Sequence, residues 1–479
     1  MELFNTKRTE FPNLLEFSQF NLYCGYSLLG KRPVNKVEQM SFKNMPKEPK
    51  AKRQKEKETP PPPPSDNPRQ CHFWVKRKRR YCHLPTKIDN DFCGEHAIYD
   101  AKRKDKERIV CPYDPSHTVN KDELEKHLEK KCNARPPPIP SYFSLNINCT
   151  LPFPEFEEKV TLSHLSKETL DILINNVNQW FQKLVPSIKT EVLDHLVLKE
   201  KKESTKNGKH AVQQASLIGH LKRLQLLRKD ACFIEYGSGK GELSYFTKLA
   251  VQDEGSASFI LIDRKNTRCK FDNVIRGTSE KKSLVKRIGM DIKDLDLSKL
   301  DLLKGKDVVV YSKHLCGSAT DITLKSLVNH AKSNTDGNPV VGIIIALCCH
   351  QLCRYHMFPY QEYLQDFGIT ENDFKRLCAM SSWAICGQRS TGDKNFTVED
   401  DEDNHAYDEV EDEEENNKMH YSGLEHSERE QLGYKCKRII DVGRTKYLEA
   451  NGFDVELIYY VEPSTSLENL ALMAIPKNK

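Results

Sequence analysis

The chain has 479 residues, of which 38% are hydrophobic and 30% charged, and it carries a formal net charge of +5 at pH 7. This length suits two or three domains, and the low hydrophobic content predicts that part of the chain is disordered. The apolar runs fall short of the roughly 18 residues that a transmembrane helix needs, so we expect no membrane partner. Charged residues near the start, among them Glu2 and Glu10, argue against a secretory or mitochondrial leader. We therefore expect an intracellular protein of the nucleus, the cytoplasm or both.

Residues 1–70 show no steady hydrophobic period and end in a lysine-rich stretch and the run Pro60–Pro64. This composition predicts a disordered N-terminal extension that finishes in a polyproline II segment.

Two quartets of cysteine and histidine follow within residues 71–132. Thiolate sulfur and imidazole nitrogen are the usual zinc ligands, and four of them close a tetrahedral structural site without an open position for catalysis. We predict a CCCH zinc finger over residues 71–98 and a CHHC zinc finger over residues 108–134, each with one structural Zn2+. The predicted ligands are Cys71, Cys82, Cys93 and His96 in the first finger and Cys111, His117, His127 and Cys132 in the second. Cysteines used in this way indicate a reducing compartment.

Residues 135–165 contain a second proline-rich stretch and are predicted to be a linker. A helical segment is predicted over residues 166–229, with Ser166 as the N-cap of its first helix. The apolar spacing predicts three helices in this segment, over 166–186, 187–204 and 210–229.

From residue 230 to 479 short apolar runs alternate with helical stretches, which predicts an α/β domain. Its sheet should be mostly parallel, with helices on both faces and an antiparallel last pair of strands. The seven predicted strands are 231–236, 258–263, 285–290, 307–312, 340–347, 454–460 and 468–475. The acidic stretch 388–431 lacks apolar periodicity and is predicted to be a disordered insertion. A solvated loop and an RNA-mimicking inhibitory tail are both compatible with its charge.

A glycine-rich loop follows the first strand of this domain, with Gly237, Gly239 and Gly241 at alternate positions behind Glu235. Glycines let backbone approach a ligand closely, and the loop opens a helix N-terminus that favours anionic groups. The spacing differs from the G-x-G-x-x-G of dinucleotide sites and resembles the first motif of Rossmann-like class I methyltransferases, which bind S-adenosylmethionine (SAM). A purely structural turn is the competing interpretation.

Two further acids end the next two predicted strands. Asp263 is placed to accept hydrogen bonds from the ribose hydroxyls of SAM, and Asp291 to contact its adenine amino group. The alternative for each is a structural role at the strand end or as a helix cap. Together with Glu235 and the three glycines, they form the predicted SAM-binding set.

The fourth and fifth strands deliver polar clusters to the same edge of the sheet. Lys313 and His314 are the candidate catalytic residues, because methyl transfer to a ribose hydroxyl needs a group that aligns the oxygen and takes or shares its proton. Phosphate binding by Lys313 and a packing role for His314 are the alternative. The cluster Cys348, Cys349, His350 and Cys353 has three open interpretations: a cysteine nucleophile, a third metal site with Cys316 or Cys386, or buried thiols that act as small apolar residues.

Taken together, these features resemble the eukaryotic tRNA 2′-O-methyltransferases that act on nucleotide 4 of the acceptor stem. The resemblance runs from Cys71 to about Pro476. It rests on the paired CCCH and CHHC fingers and on the motifs HAVQQASLIGHL (210–221), EYGSGKGELS (235–244), KHLCGSATD (313–321), ALCCHQLCRY (346–355) and LGYKCKRIIDVGRTKYLE (432–449).

The resemblance implies a SAM-dependent Rossmann-like domain, two structural zinc ions and tRNA as the partner, with DNA not expected. It does not identify the catalytic base, the tRNA isoacceptors or the oligomeric state. Contacts to RNA are expected from the basic stretches Lys76–Arg80 and Lys102–Arg108, interleaved with Phe73, Trp74 and Tyr81. The same aromatic residues are also candidates for the small core of the fingers. Two other functional classes stay open: a non-catalytic zinc-finger RNA-binding or splicing adaptor with a degenerate methyltransferase fold, and a base or protein methyltransferase.

Overall fold

A computed structural model of the chain describes residues 62–63, 67 and 69–477, with gaps at 76–77, 89, 100–107, 116, 136–137, 150–159, 206–207, 253–254, 266, 268–270, 278–281, 335–338 and 386–419. The chain divides into two compact units, Met1–Ile139 and Pro140–Lys479. Most of the N-terminal extension predicted to be disordered lies outside the described residues. In the part of the chain that is described, no helix has the length and apolar character needed to cross a membrane.

The first unit contains two small antiparallel hairpins. Strands β1 (Trp74–Val75) and β2 (Arg80–Tyr81) pair in one, and β3 (Arg108–Val110) and β4 (Thr118–Asn120) pair in the other. A helical stretch follows β4, formed by Lys121–Glu123, α1 (Leu124–Lys126) and His127–Lys131. Such short elements bury little apolar surface, which is why modules of this size depend on a metal for stability.

The second unit is built on an eight-stranded mixed sheet. Its strands are β5 (Lys189–Thr190), β6 (Cys232–Tyr236), β7 (Ser258–Ile262), β8 (Leu284–Ile288), β9 (Val308–Ser312), β10 (Val340–Ala346), β11 (Phe453–Tyr459) and β12 (Leu470–Pro476). Their order across the sheet is β5-β11-β12-β10-β9-β6-β7-β8, and β12 runs antiparallel to both neighbours. All seven predicted strands are confirmed, and the α/β Rossmann-like fold with them. The eighth, β5, has two residues and was not predicted.

The sheet strands are apolar without alternation because both faces of the sheet are covered. In β6 the side chains of Ile234 and Tyr236 enter the core on one face, while Phe233 enters the core on the other. The strand order reverses between β6 and β9. From β6 the chain adds β7 and β8 on one side of the sheet, and from β9 it adds β10 on the other side. Ligands of open α/β sheets bind beyond the carboxyl ends of the strands at such a point. The loops after β6 and β9 are therefore where a ligand is expected to bind.

The helices of the second unit are α2 (Lys167–Leu184), α3 (Lys199–Ser204), α4 (Lys209–Arg223), α5 (Glu242–Val251), α6 (Asp272–Arg276), α7 (Ser318–Ser333), α8 (Gln361–Asp366), α9 (Glu371–Ser381) and α10 (His426–Ala450). Ser166 caps α2 as predicted, since its side chain accepts a hydrogen bond from the Thr169 amide. The helix predicted over 187–204 is wrong. That stretch holds β5, a 3-10 turn at Leu196–Leu198 and α3, because the Glu191 amide bonds to the Tyr459 carbonyl and draws the segment onto the sheet edge.

The sequence predicted a linker and a helical segment that are separate from the sheet domain, and the structure corrects this prediction. Residues from Pro140 onward belong to the second unit. Tyr142 and Phe143 pack against the apolar core on one face of the sheet, and the Ser144 amide donates to the Asp294 carbonyl at 2.8 Å. Helix α4 lies in the core on the other face, while α2 packs with α9 and α10 in a third apolar cluster. The linker therefore ends earlier than residue 165.

The acidic insertion is shorter than predicted at its C-terminal end. Residues 388–419 lie outside the described residues, but 420–431 are ordered, and α10 begins at His426. Glu425 caps this helix, and its own amide donates to the Glu428 carboxylate at 2.9 Å. Acidic residues stabilise helix N-termini. The acidic residues that suggested disorder at this end of the insertion therefore cap a helix.

Candidate functional site

The glycine loop lies between β6 and α5 and has three glycines with positive φ. Gly237, Gly239 and Gly241 have φ values of +62, +46 and +80°, a region that favours glycine. A Cβ on Gly237 would lie 2.0 Å from the carbonyl oxygen of His314, whereas a Cβ on Gly239 would meet no atom of the described residues within 4 Å. Gly237 is thus required by packing against the loop after β9, and Gly239 borders space that no described residue fills, which suits a ligand.

Glu235 supports this loop from within the protein. Its carboxylate is buried and accepts hydrogen bonds from the amide and the hydroxyl of Ser244, at 3.0 and 2.5 Å, in the first turn of α5. The Ser244 hydroxyl also lies 2.9 Å from that of Tyr311. Burial raises the pKa of Glu235 to about 8, although the bonds from Ser244 oppose that shift. The structure thus places Glu235 as a residue that positions the loop and the helix.

Asp263 is joined directly to the glycine loop at the carboxyl end of β7. One of its carboxylate oxygens accepts from the Gly239 amide at 2.8 Å, and the other accepts from the Lys265 amide at 2.7 Å. The Thr267 hydroxyl donates to the Gly239 carbonyl at 2.9 Å. A carboxylate offers about four acceptor positions, so Asp263 retains capacity for the ribose hydroxyls of a nucleoside.

Arg287, on β8, is a residue of the site that the sequence analysis missed. Its guanidinium forms a two-point ion pair with Asp272 at 2.7 and 2.8 Å, and it donates to the Gly239 carbonyl at 2.9 Å and to the Ser238 hydroxyl at 3.1 Å. The available signal was a pair of basic residues, Lys286 and Arg287, inside a strand whose other three residues are apolar. Its planar fork suits this simultaneous bonding to a carboxylate and a loop.

Asp291 follows β8 at the same edge of the sheet. Its carboxylate caps a short 3-10 helix by accepting from the Lys293 amide at 3.1 Å, and it lies 3.7 Å from the Arg264 guanidinium. The capping alternative therefore has a structural basis, and the predicted contact with adenine stays a prediction.

Lys313 and His314 follow β9, next to the glycine loop. The Lys313 ammonium lies 2.5 Å from Nδ1 of His210, at the start of α4, and the rings of His210 and His314 are 6.5 Å apart. Glu242, just after Gly241, pairs with Lys201 and accepts from Gln214 at 2.9 Å. Burial raises the pKa of Glu242, but these bonds and the charge of Lys313 outweigh it and hold that pKa below its ordinary value. An ionised carboxylate is thus retained within electrostatic reach of Lys313.

The predicted cysteine cluster after β10 separates into two environments. Cys348 and Cys349 lie with Cys316, from the loop after β9. Cys353 instead accepts from the Arg444 guanidinium at 3.1 Å. Hydrogen bonding to Cys316 and Cys349, together with burial, raises the pKa of Cys348 well above its ordinary value, which disfavours a thiolate nucleophile.

His350 is fully buried and belongs to a network of charges beneath the strand ends. Its Nε2 lies 2.7 Å from Asp441, on α10, and burial lowers the pKa of the imidazole. Arg444 bridges Asp441 at 3.2 Å and Asp321 at 2.8 Å, and it donates to the Gly317 carbonyl at 3.2 Å. This network holds the loop after β9 to α10, and His350 is too deep to touch a substrate.

The CCCH quartet has the geometry of a zinc site. The ligand atoms of Cys71, Cys82, Cys93 and His96 all lie within 4.8 Å of one another. Nδ1 of His96 is 3.4 Å from the Cys71 sulfur and 3.3 Å from the Cys93 sulfur. Sulfur and nitrogen ligands about 2.3 and 2.0 Å from a tetrahedral zinc lie roughly 3.5 Å apart, so this donor set fits the ion.

The CHHC quartet fits zinc equally well. The Cys111 and Cys132 sulfurs are 3.6 Å apart, and the Nε2 atoms of His117 and His127 are 3.1 Å apart. The two fingers contact each other, because the Thr118 amide donates to the Glu95 carboxylate at 3.2 Å. The second finger is therefore oriented by the first.

The aromatic and basic residues of the fingers divide between structure and surface. Phe73 stacks on the ligand His96 with ring centroids 3.9 Å apart, which gives it a core role. Trp74 and Tyr81 are half-buried and meet edge to face. Residues 78–80 are exposed, whereas Arg108 bonds to Thr118 within the second finger and is not available for RNA. The other basic residues of the two stretches lie outside the described residues.

Three protein families match consecutive parts of this chain. The family described as "Methyltransferase TRM13" matches residues 212–475, which hold the glycine loop and the strand-end clusters. The "CCCH zinc finger in TRM13 protein" matches residues 69–97, and the "U11-48K-like CHHC zinc finger" matches residues 108–133. Both zinc quartets fall within the matched fingers.

Whole proteins similar to this chain occur in animals and fungi. The tRNA:m(4)X modification enzyme TRM13 homolog of Mus musculus is 35% identical over 460 residues, covering 85% of this chain and 94% of the relative. The tRNA:m(4)X modification enzyme TRM13 of Schizosaccharomyces pombe is 36% identical, covering 77% of this chain and 95% of the relative. Among solved structures, the plantazolicin methyltransferase BpumL covers 66% of this chain and 100% of its own at 11% identity, with a TM-score of 0.28. That structural likeness is too weak to support an argument.

Proposed function

Because the chain belongs to the TRM13 methyltransferase family, we propose that it transfers a methyl group from SAM to the ribose 2′-hydroxyl of nucleotide 4 in the acceptor stem of tRNA. The observation that carries the proposal is the match of the family across the glycine loop and the loops after β9 and β10, joined to both zinc fingers. The names of the relatives support tRNA as the substrate. The choice of a ribose oxygen rests on the side chains of the site.

The methyl-donor half of the site is formed by the loop after β6. When bound, SAM supplies a methyl group activated by a positively charged sulfur. Gly239 borders space that no described residue fills, and Asp263, already bonded to the Gly239 amide, would accept hydrogen bonds from the ribose hydroxyls. Asp291, at the adjoining strand end, would contact the adenine. Glu235 and Arg287 hold the loop in the conformation that admits the ligand.

The hydroxyl-acceptor half is formed by Lys313, His314 and His210. The Lys313 ammonium and the His210 imidazole already share a hydrogen bond of 2.5 Å, so a proton can pass between them. Lys313 would align the ribose oxygen, and its proton would pass to His314, or to His210 by way of Lys313. The oxygen would bond to the methyl carbon as the carbon–sulfur bond of SAM breaks and S-adenosylhomocysteine leaves. Glu242 keeps a negative charge beside this pair and orients the lysine through electrostatics.

The zinc fingers are proposed to bind the tRNA without contacting the reacting atoms. Both ligand quartets are closed, so neither ion has a position for substrate. The exposed residues Lys78, Arg79 and Arg80 present positive charge to phosphates, with the half-buried Trp74 and Tyr81 beside them for stacking.

Label transfer from tritiated SAM to an unmodified tRNA transcript tests the proposal. Digestion with a ribonuclease that requires a free 2′-hydroxyl should release the label in a dinucleotide, because a 2′-O-methyl group blocks cleavage. A transcript with a 2′-deoxynucleotide at position 4 should accept no label. Label in a mononucleotide or in protein would support the base or protein methyltransferase, and no label from zinc-loaded, folded protein would support the adaptor.

Matched lysine variants test the acceptor half. Lys313→Met should lower kcat by about 100-fold or more, since general acid–base groups typically contribute 10²–10⁴-fold. Lys332→Met replaces an exposed lysine at the far end of α7 and should leave kcat unchanged. Equal kcat values for the two variants would remove Lys313 from the proposed mechanism.

A further inference from the structure

Three cysteine sulfurs meet beyond the carboxyl ends of β9 and β10. Cys316 comes from the loop after β9, and Cys348 and Cys349 come from the loop after β10. Their sulfurs all lie within 4.8 Å of one another, and those of Cys316 and Cys348 are 3.7 Å apart. Cys348 is buried, while Cys316 and Cys349 are half-buried.

The distance between the Cys316 and Cys348 sulfurs matches that in a zinc–thiolate centre. Two sulfurs about 2.3 Å from a tetrahedral zinc lie about 3.8 Å apart. The corresponding distance between Cys111 and Cys132, in the CHHC finger of this chain, is 3.6 Å. The cluster after β9 and β10 therefore has the spacing of the sites that the family assigns to zinc.

The backbone bends unusually to bring the three sulfurs together. Consecutive side chains of an extended strand point to opposite sides, so Cys348 and Cys349 could not both face Cys316 if β10 continued. Cys349 instead has φ 51° and ψ 45°, a left-handed conformation rare outside glycine and common where local strain serves a function. Gly317 has φ +55° and approaches the Leu352 backbone so closely that a Cβ would lie 2.6 Å away.

Charged groups secure this turn. One carboxylate oxygen of Glu468 accepts from the Cys349 amide at 3.3 Å, and the other accepts from the ammonium of Lys437 at 2.8 Å. The Lys437 side chain is fully buried and paired with Glu468, so the carboxylate that holds the turn is itself fixed in place.

We propose that Cys316, Cys348 and Cys349 form a third zinc site of this chain. Soft thiolate ligands select zinc among the common divalent ions, and the bound ion deprotonates its coordinating thiols outright. A water or another small donor completes the fourth position. The ion ties the loop that carries Lys313 to the end of β10, which makes it a clamp on the acceptor half of the site. A Cys316–Cys348 disulfide, the competing outcome, would leave Cys349 unused.

Metal counting on the full chain tests the proposal without SAM or tRNA, so its outcome is independent of the proposed function. Protein loaded with Zn2+ under reducing conditions and desalted should carry three zinc ions by native and elemental mass spectrometry. Cys316→Ser and Cys348→Ser should carry two. Cys436→Ser is the matched control, because its thiol is buried on α10 outside the cluster, and it should carry three. The proposal would be overturned by two zinc ions in the unsubstituted protein or by three in the cluster variants. It would also be overturned by a protein mass lowered by the two hydrogens that a disulfide removes.

Alkylation of the unsubstituted protein covers the case in which the cluster variants do not fold. Cys149 is half-buried like Cys316 and Cys349 but lies outside the cluster, so it reports accessibility alone. In zinc-loaded protein, N-ethylmaleimide should modify Cys149 and spare Cys316 and Cys349. Chelation should expose those two while the modification of Cys149 stays constant. Equal modification of the two cluster cysteines before and after chelation would overturn the proposal.

Discussion

Two of the three glycines in the loop after β6, Gly237 and Gly239, offer a matched pair of alanine substitutions. Both have positive φ, so alanine costs about 1–2 kcal/mol of backbone strain at either position. They differ in what the new Cβ meets. At Gly237 it would lie 2.0 Å from the His314 carbonyl oxygen, against a normal minimum near 3.0 Å, while at Gly239 it would enter open space among the described residues.

The expected loss of unfolding free energy in each variant follows from what its new Cβ contacts. Gly237→Ala must displace the backbone of one of two packed loops, and overpacking of this kind costs about 1–3 kcal/mol beyond the strain. We expect it to lose about 2–5 kcal/mol of unfolding free energy. Gly239→Ala should lose only about 1–2 kcal/mol. Its methyl group would instead occupy the proposed ligand space and weaken binding of SAM or its product S-adenosylhomocysteine by at least about tenfold, equivalent to about 1.4 kcal/mol.

Urea denaturation and calorimetric titration with S-adenosylhomocysteine measure both effects. The two variants should separate, with Gly237→Ala the less stable and Gly239→Ala a folded protein that binds poorly. Folded Gly239→Ala with unchanged affinity would show that the loop does not border the methyl donor. Equal stability of the two variants would refute the argument from the His314 carbonyl.

Three further predictions concern the fingers, the buried acid and the ion network. Cys111→Ser should lose one zinc ion and weaken tRNA binding while S-adenosylhomocysteine binding stays constant, and unchanged tRNA affinity would remove the finger from the RNA contact. Glu235 has a folded-state pKa raised from 4.5 to about 8, so its stabilising protonated form is lost as pH rises through that window. Glu235→Gln does not ionise, so its unfolding free energy should rise relative to that of the unsubstituted protein as the pH increases, by on the order of 4–5 kcal/mol at pH 8. Thermal unfolding over this pH range measures the difference, and parallel pH profiles of the two proteins would contradict the prediction. Arg444→Met leaves Asp321 and Asp441 buried without their shared partner and should cost about 3–5 kcal/mol in urea denaturation, whereas a loss below about 1 kcal/mol would show that the network is not stabilising.

Local patterns were sufficient to predict much of this chain. Zinc ligands such as Cys71 and Cys111 come in groups that are close in sequence, and β6 with its glycine loop is one continuous motif. The seven main strands are short apolar runs, which were recognisable because both faces of the sheet are buried. In each case the residues that carry the signal lie within one short stretch of the chain.

Misassigned boundaries arose where local signals had two physical uses. The acidic residues near Glu425 suggested solvation, but they cap α10. The proline-rich stretch before Tyr142 suggested a longer linker, but the residues after it pack on the sheet. The periodicity of 187–204 suggested one helix, but backbone pairing with Tyr459 draws part of that stretch onto the sheet edge.

The sequence by itself determined the two zinc fingers, the order of the strands along the chain and the glycine loop after β6, because each depends on neighbours in the chain. Only the tertiary structure decided that Lys313 pairs with His210, that Arg287 hydrogen-bonds to the glycine loop and that the sulfurs of Cys316 and Cys348 lie close together. These partners are separated by long stretches of chain and are joined by the parallel crossovers of the sheet. Their contacts depend on three-dimensional packing, which hydrophobic period and motif spacing do not encode.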